Sequence, residues 1–338
     1  MIKIDGSEGE GGGQIVRNAC ALSLVTGEPF QISNIRGKRT KPGLMRQHLT
    51  AVEAACVISG SECSGLAVGS SELHFRPGHV EPSEYHFAVG TAGSTSLVLQ
   101  TVLMPLLLAS GPSRLILEGG THNMAAPPFD FVERSFLPVI NRMGPRVSGK
   151  IIRHGFYPRG GGRIEIDIAP AQLAAINCTS RGAFLGYSAQ VLLAGLPLEI
   201  AERMLARTKH LLPEWADDAF TVREIPGDQG PGIILMLEVR YAEVSEIVSG
   251  FGQFGVPAER LAKTSAARMA GYIKATAFAG PYLADQLILP FVLAGGGSYT
   301  TVKPSQHLLT AIDIAQRFTG RRIELQQQAG GAHLLAVG

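Results

Sequence analysis

Apolar and polar positions along the chain predict the same succession of elements three times. Each succession reads as a short strand, a glycine-rich turn, an apolar helix, a strand, a loop, a second helix and two further strands. The first runs from Ile2 to about Arg76, the second from Tyr85 to about Ile168, and the third from about Ala275 to Val337. Units longer than about 50 residues are not solenoid repeats, so we expect supersecondary units that bury their sheet faces against one another.

The predicted helices and strands together indicate a mixed fold. The helices span residues 15–26 and 41–59 in the first unit, 94–109 and 128–143 in the second, and 282–294 and 306–318 in the third. Residues 182–274 interrupt this succession, with helices predicted at 198–211 and 258–273 and strands at 188–193, 220–225 and 232–241. We therefore expect an α/β (α+β) fold with three repeated βαβαββ-type units. Residues 1–181 and 275–338 would form a large domain, and residues 182–274 an inserted smaller α/β domain.

Composition narrows the class of protein. Hydrophobic residues make up 45% of the 338 positions, which is enough for a packed core. Charged residues are 17% and the net charge is +2, which argues against a polybasic nucleic-acid coat but allows a local basic surface. The cysteines show no CxxC spacing, so neither a zinc site nor a disulfide framework is predicted. The N-terminus begins directly with a strand, and the apolar run at 102–108 is too short to span a bilayer, so we expect a cytoplasmic protein with no membrane partner.

The glycine turn at residues 9–13 carries one acidic residue, Glu10. Glycines between a strand and a helix place backbone amides at a helix N-terminus, which favours anions. The P-loop pattern is absent because no Gly-Lys-Ser/Thr follows, and the dinucleotide pattern lacks its acidic residue after a second strand. The residues alone leave Glu10 as either a turn residue or a metal ligand.

A basic cluster follows the second strand of the first unit. Its members are Arg36, Lys38, Arg39, Lys41 and Arg46, with Gln47 and His48 beside them and Arg17 on the first helix. Planar guanidinium groups suit phosphate oxygens. A phosphate site and a solvated charged surface are about equally compatible with this cluster.

Two loops have unusual compositions. Residues 154–162 read His-Gly-Phe-Tyr-Pro-Arg-Gly-Gly-Gly, which suits either a ligand-facing hairpin or a tight structural one. Residues 228–232 read Asp-Gln-Gly-Pro-Gly, for which an ordinary β-turn is the simpler interpretation.

Two predicted helix N-termini carry further candidates. Tyr282 would offer a stacking face for a base, with Pro127 as an opposing wall, while Asp285 equally suits the helix dipole. His307 begins the last predicted helix, where the dipole lowers the imidazole pKa and favours the neutral, nucleophilic form. A polar helix cap is the simpler alternative for this histidine.

Taken together and in this order, the motifs resemble the RNA 3′-terminal phosphate cyclase family. The matching segments are residues 9–14, 41–44, 46–48, 154–162, 282–286 and 304–307, and the likeness covers essentially the whole chain. The resemblance implies three repeats of the unit above plus one inserted smaller domain. It also implies ATP-dependent conversion of an RNA 3′-terminal phosphate to a 2′,3′-cyclic phosphate, through covalent histidine–AMP and RNA-adenylate intermediates, with Mg²⁺ or Mn²⁺.

The resemblance implies roles for individual residues as well. His307 would be the nucleophile and Glu10 the ligand of the divalent metal. Polar residues matching those needed for the adenylation or phosphate steps are Arg17, Arg36, Arg39 and Gln47. The ATP site would contain Gln100, Pro127, Phe131, Tyr282, Leu283, Ala284, Asp285 and Gln286. RNA with a 3′-terminal phosphate and ATP would be the partners.

Three other functions account for parts of the sequence. A non-catalytic cyclase-like RNA-binding factor in ribosome assembly would lack the histidine that stands at position 307. An enolpyruvyl transferase would need a deep anion site of lysines and arginines spread over two similar lobes. A sugar- or lipid-phosphate-binding protein would need only the glycine turns.

Overall fold

The computed structural model describes residues 1–328 and 330–338, and within them the strands form four four-stranded sheets. The chain is of the mixed α/β class, as predicted. The first unit comprises β1 (Ile2–Asp5), α1 (Gly13–Thr26), β2 (Phe30–Ser33), α2 (Arg46–Ser59), β3 (Glu62–Ser64) and β4 (Leu73–Arg76). The second comprises β5 (Glu84–Ala88), α3 (Thr95–Leu107), β6 (Ser113–Gly119), α4 (Phe129–Phe131), a π-helical turn (Val132–Phe136), α5 (Leu137–Asn141), β7 (Arg146–Arg153) and β8 (Gly162–Ala169).

The remaining elements lie after a two-residue strand, β9 (Asn177–Cys178). The inserted segment comprises β10 (Phe184–Ala194), α6 (Leu198–Leu211), β11 (Phe220–Ile225), β12 (Gly232–Tyr241), β13 (Ser245–Phe251) and α7 (Ala258–Ala275). The chain then continues with α8 (Pro281–Leu293), β14 (Gly297–Thr301), α9 (Gln306–Thr319), β15 (Ile323–Gln327) and β16 (His333–Val337).

Three of the sheets share one strand arrangement. Their orders are β1-β2-β4-β3, β5-β6-β8-β7 and β9-β14-β16-β15, and in each the first pair is parallel and the other two are antiparallel. A parallel pair needs a crossover connection, which α1 supplies in the first sheet and α3 in the second. In the third sheet the crossover from β9 to β14 contains the whole inserted segment and α8. The strand that starts this sheet therefore precedes the insertion, whereas the sequence pattern began the third unit near residue 275.

The inserted segment has its own sheet and its own core. The strand order is β11-β10-β12-β13, which differs from the arrangement shared by the other three. Trp215 is buried and its ring stacks on Tyr187 at 4.5 Å between centroids, with Leu235 and Met269 in the same apolar cluster. The strand β13 was not predicted from the sequence.

Helix α1 lies at the centre of the large apolar core. It packs against α2, α3 and α9, and α9 packs in turn against α8. Nearly every residue of α3 is buried, which suits a helix that is apolar all round. Among the described residues, each helix is too short or too polar to span a lipid bilayer.

Partly buried ion pairs join the second sheet's helical segment to the inserted sheet. Arg134, in the π-helical turn, donates to Asp130 at 2.9 Å and to Glu238 on β12 at 2.7 Å. His122 Nε2 lies 2.9 Å from the other oxygen of Asp130. Burial opposes the charge on Asp130, but the His122 hydrogen bond and the nearby Arg134 lower its pKa to about 2. Removing one partner of such a network leaves an uncompensated buried charge, so these contacts hold the inserted sheet in place.

One helix begins later than predicted and a second is divided, whereas the bounds of the other helices lie within two residues of the predicted ones. The helix predicted at 41–59 begins at Arg46, because Gly43 is in the left-handed region at φ 81° and packs against the carbonyl of Gly69. The helix predicted at 128–143 is divided by the π-helical turn that carries Arg134.

Candidate active site

The N-terminal ends of α1 and α9 meet at the glycine turn. The backbone N–H of Glu10 donates to Thr310 Oγ1 at 3.0 Å, and the side chains of Gln14 and His307 are joined by a 3.0 Å hydrogen bond. Helix N-termini carry partial positive charge and unpaired N–H groups. Their convergence makes this end of the core suitable for anionic groups such as phosphates.

His307 is held in one orientation. It lies in the first turn of α9, after the N-cap Ser305, whose Oγ accepts from the N–H of Leu308 at 3.0 Å. Its Nδ1 donates to Gln14 Oε1, which leaves the lone pair on Nε2. The side chain is 46% exposed, and Nε2 lies 3.8 Å from Glu10 Oε1. Partial burial, followed by the charges of Arg17 and Arg39, lowers the pKa of His307, so the imidazole is neutral at neutral pH.

Glu10 is a largely buried carboxylate with a partner on only one of its two oxygens. Its side chain is 11% exposed, and Oε1 forms an ion pair with Arg39. Its other oxygen, Oε2, is buried and has no hydrogen-bond partner among the described residues. Such an oxygen would accept a cation, so the residue fits the predicted metal role. Within the described chain no group of three His, Cys, Asp or Glu side chains could hold a metal ion.

The basic loop is ordered by one of its own arginines. Arg36 has φ 55°, and its Nη1 donates to the carbonyls of Lys41 at 2.7 Å and Gly43 at 2.9 Å. Arg39 extends from the same loop to Glu10. The two arginines therefore differ in kind: Arg36 shapes the loop, and Arg39 presents its charge to the site.

Gln47 and His48 begin α2 on the other side of the glycine turn. Gln47 Oε1 accepts weakly from the N–H of Ser94 at 3.5 Å, which brings α2 to the second glycine turn. The His48 ring packs so closely on Gly13 that a Cβ there would lie 2.1 Å from Nε2. Burial, with the charges of Arg17 and Arg36, lowers the pKa of His48 to about 3, so this histidine is neutral.

Arg17 and Asp285 influence each other's charge. Burial lowers the pKa of Arg17 to about 10, and its Nε has no hydrogen-bond partner in the described structure. Burial raises the pKa of Asp285 to about 8, against the attraction of Arg17 and with a further contribution from Glu246. Glu246 is 1% exposed, accepts from the N–H of Gly280 at 2.9 Å, and has its pKa raised by burial to about 8.

The residues predicted to bind ATP divide into exposed and buried groups. Tyr282 is 41% exposed, and the Arg268 guanidinium lies 5.0 Å from its ring centroid and donates to its hydroxyl. Gln286 Nε2 donates to the carbonyl of Tyr282 at 2.9 Å, while its Oε1 is buried without a partner in the described chain. Partly buried side chains are Gln100, Pro127 and Asp285. Side chains enclosed in the core are Phe131, Leu283 and Ala284, so these present almost no surface to a ligand.

Sequence reasoning assigned no role to three residues of this region. Gln14 follows the glycine turn and stands three positions before Arg17, so both lie on one face of α1. This three-residue spacing was the feature of the sequence that could have identified Gln14. His48 was noted only as a neighbour of the basic cluster, and Glu246 lies in the strand that was not predicted.

Comparison with known proteins assigns the chain to a family. The family model of RNA 3′-terminal phosphate cyclase matches residues 8–325. The chain is 47% identical over 335 residues to the RNA 3′-terminal phosphate cyclase of Koribacter versatilis (strain Ellin345), covering 99% of this chain and 94% of the relative. It is 44% identical over 327 residues to that of Ectopseudomonas mendocina (strain ymp), covering 97% and 95%. It is 45% identical over 329 residues to that of Ralstonia nicotianae (strain ATCC BAA-1114 / GMI1000), covering 97% and 94%.

The chain therefore belongs to the RNA 3′-terminal phosphate cyclase family of enzymes, which confirms the resemblance found in the sequence.

Proposed function

We propose that this chain is an ATP-dependent RNA 3′-terminal phosphate cyclase in which His307 carries AMP during the reaction. The observation that carries the proposal is the hydrogen bond from His307 Nδ1 to Gln14 Oε1 at 3.0 Å. It leaves a lone pair on Nε2, in a half-exposed ring whose pKa is lowered. A neutral imidazole with one nitrogen held and the other open suits a nucleophile better than a helix cap.

In the first step, Nε2 of His307 attacks the α-phosphorus of ATP. A nitrogen–phosphorus bond forms, the bond from the α-phosphorus to the bridging oxygen breaks, and pyrophosphate leaves. The charge of Arg17, which acts on His307, would offset the negative charge that develops on the phosphate oxygens. The positive N-terminal ends of α1 and α9 would contribute in the same direction.

The nucleotide would lie between Tyr282 and Pro127, with Gln100, Asp285 and Gln286 nearby. Tyr282 is 41% exposed and Arg268 lies over part of its ring, so a base would stack on the ring surface that remains exposed. Asp285, with its raised pKa, would donate a hydrogen bond when protonated and accept one when ionised. Mg²⁺ or Mn²⁺ held by Glu10 would neutralise phosphate charge. The buried, unpartnered Glu10 Oε2 supports that assignment.

In the second step, an oxygen of the RNA 3′-phosphate attacks the adenylate phosphorus, and the bond to His307 breaks. In the third, the neighbouring 2′-hydroxyl loses its proton and attacks the terminal RNA phosphorus, so AMP leaves and the 2′,3′-cyclic phosphate closes. Arg39 and Gln47 are the side chains proposed to position the RNA phosphate, within the loop that Arg36 shapes. Each step places charge on phosphate oxygens, so positioning and charge neutralisation would supply most of the rate.

Incubation with ATP labelled at the α-phosphate tests the proposal. The wild-type protein should retain an acid-labile, alkali-stable label, and His307→Ala should retain none. His86→Ala, at a half-exposed histidine on the second sheet, is the matched control and should label as wild type. An unlabelled wild-type protein would favour the non-catalytic RNA-binding alternative, and a labelled His307→Ala would assign the adduct to another residue.

A further inference from the structure

The loop at residues 154–162 is firmly held at its base and exposed at its tip. Phe156 is 3% exposed, its ring stacks on His122 at 5.4 Å between centroids, and its carbonyl accepts from the N–H of Gly160 at 2.7 Å. Tyr157, the next residue, is 72% exposed, and Pro158 and Arg159 are exposed as well. Packing explains the base of this loop but gives no reason for an aromatic ring at its tip.

The base of the loop is fixed by the inserted segment. Gly232 packs so closely on Phe156 that a Cβ there would lie 2.1 Å from the ring. The N–H of His154 donates to Gln229 Oε1 at 2.8 Å, and Arg153 pairs with Asp228 at 2.7 Å. The loop 228–232, for which an ordinary turn was the simpler interpretation, thus serves as the support of the first loop.

A chain of close contacts connects this tip with the reaction centre. Gly160 packs against the second glycine turn, where a Cβ on it would lie 2.8 Å from the Cα of Ala92. A Cβ at Gly93, in the same turn, would lie 3.0 Å from the Cβ of Gln47. Gln47 precedes His48, whose ring packs on Gly13, the first residue of the helix that carries Gln14. The tip therefore lies along the same surface as the residues proposed to hold the RNA phosphate.

The charge along this surface suits a polyanion. Exposed cationic side chains on the basic loop, the start of α2 and the tip are Lys38, Lys41, Arg46 and Arg159, and the charge of Arg223 also acts on His154 near the base of the loop. They lie on a chain whose net charge is only +2, so they give this surface a local positive character. An exposed aromatic ring beside arginines on a rigid loop is the combination that binds unpaired nucleotides.

We propose that the tip formed by residues 157–159 is the docking surface for the single-stranded RNA nucleotides that precede the 3′-phosphate. A base of the RNA stacks on Tyr157, and a backbone phosphate contacts Arg159. Only an unpaired base offers its face to such a ring, so the site selects single-stranded ends. This inference rests on the proposed function, because it assigns the RNA's approach to the same reaction centre.

The test measures binding separately from catalysis. The probe is a fluorescent single-stranded oligoribonucleotide whose last nucleotide is a 2′-deoxynucleoside 3′-phosphate, which cannot be cyclised. Tyr157→Ala should weaken binding about 5- to 100-fold. Arg159→Gln should reduce the slope of log Kd against log salt by about 0.7. Both variants should retain wild-type self-adenylation with ATP, because their side chains lie at an exposed loop tip.

Two variants serve as matched controls. Phe184→Ala removes an aromatic residue that is 52% exposed at the opposite end of β10 from Ala194, which pairs with Gly232. At about 3.3 Å per residue this end lies roughly 30 Å from the loop. Arg76→Ala removes an arginine that is 77% exposed on the first sheet's β4. Both should bind the oligonucleotide as wild type.

Three results would overturn the proposal. The first is wild-type affinity for the oligonucleotide in Tyr157→Ala and Arg159→Gln. The second is an equal loss of affinity for a nucleoside 3′-phosphate, which is too short to reach the tip and would indicate an effect on the terminal phosphate site. The third is a parallel loss of self-adenylation, which would assign the tip to ATP. If the wild-type protein binds the oligonucleotide through Tyr157 but forms no histidine–AMP, the result contradicts the proposed function and leaves the docking proposal in place.

Discussion

The Nδ1 atom of His307 lies 3.0 Å from Oε1 of Gln14, and this contact joins the first turn of α9 to the first turn of α1. The two residues are 293 positions apart in the chain. The contact determines which imidazole nitrogen carries the proton, and so which one is available to a phosphorus atom. Gln14 is 9% exposed, which leaves its amide little freedom to release the ring.

Removal of this acceptor should slow adenylation. We expect Gln14→Met to reduce the single-turnover rate of self-adenylation about tenfold at saturating ATP, the equivalent of one hydrogen bond of roughly 1.4 kcal/mol. Gln14→Glu keeps an acceptor but adds a negative charge, which raises the pKa of His307 above its wild-type value. The acid limb of its pH–rate profile should therefore move to higher pH. Wild-type rates and profiles in both variants would show that Gln14 has no positioning role.

Loss of the Glu10 charge should affect chemistry more than binding. Glu10→Gln keeps the volume of a side chain that is 11% exposed but weakens its attraction for a cation. We expect adenylation to slow about 100-fold or more while the Kd for ATP changes little, because the charge matters most in the transition state. Measurement of both quantities across a Mg²⁺ titration checks this. Recovery of the wild-type rate at high Mg²⁺ would mean that Glu10 contributes only to metal affinity.

The two arginines of the basic loop should give different phenotypes. Arg39→Ala leaves the loop in place and removes a charge, so transfer of AMP from preformed enzyme–AMP to 3′-phosphorylated RNA should slow about 10- to 100-fold. Arg36→Ala removes the donor to the Lys41 and Gly43 carbonyls, so it should disturb the loop and impair both adenylation and transfer. Single-turnover assays with RNA ending in 3′-phosphate or 3′-hydroxyl separate the steps. Identical defects in the two variants would contradict this division of roles.

The buried Glu246 should make stability depend on pH. Its pKa is raised by burial from 4.5 to about 8, so between these values the folded state binds more protons than the unfolded state. The free energy of unfolding must then fall as pH rises through this range. At pH 8 the free energy of unfolding of Glu246→Gln, measured by urea denaturation, should exceed that of wild type by roughly 1–3 kcal/mol. At pH 5 the two free energies should be similar.

The exposed Glu224 offers the matched control for this measurement. Glu224→Gln should follow the wild-type protein at both pH values. A part of the pH dependence should persist in Glu246→Gln, because the pKa of Asp285 is raised by burial in the same direction. If the free energies of unfolding of wild type and Glu246→Gln change with pH in parallel, ionisation of Glu246 does not destabilise the folded state.

Periodicity identified the elements that have one apolar face and clear ends. The helix Leu198–Leu211 and the strands Phe220–Ile225 and Gly232–Tyr241 have the predicted bounds. The strand Ser245–Phe251 was missed because its buried face carries Glu246 and Gly250 beside Val248, so apolar and polar residues do not alternate along it. No pattern in a two-residue strand could have shown that Asn177 and Cys178 pair with β14 across the whole insertion.

The short motifs were sufficient to indicate the family, and the comparisons with known proteins confirmed it. The resemblance implied that His307, Glu10 and Arg39 belong to one site, and in the fold Glu10 lies against both of the other side chains. The distinction between Arg36 and Arg39 was not available from the sequence, since both are arginines on one loop.

The mixed α/β class, most helices and strands, the family, and the chemical types of the candidate residues all follow from the sequence alone, because they depend on local periodicity and on motifs within short segments. Three relationships required the folded chain: Gln14 holds His307, the loop at 228–232 supports the loop at 154–162, and burial raises the pKa values of Glu246 and Asp285. Each of them joins segments far apart in the chain. They arise from packing and burial, which no local pattern of side chains encodes.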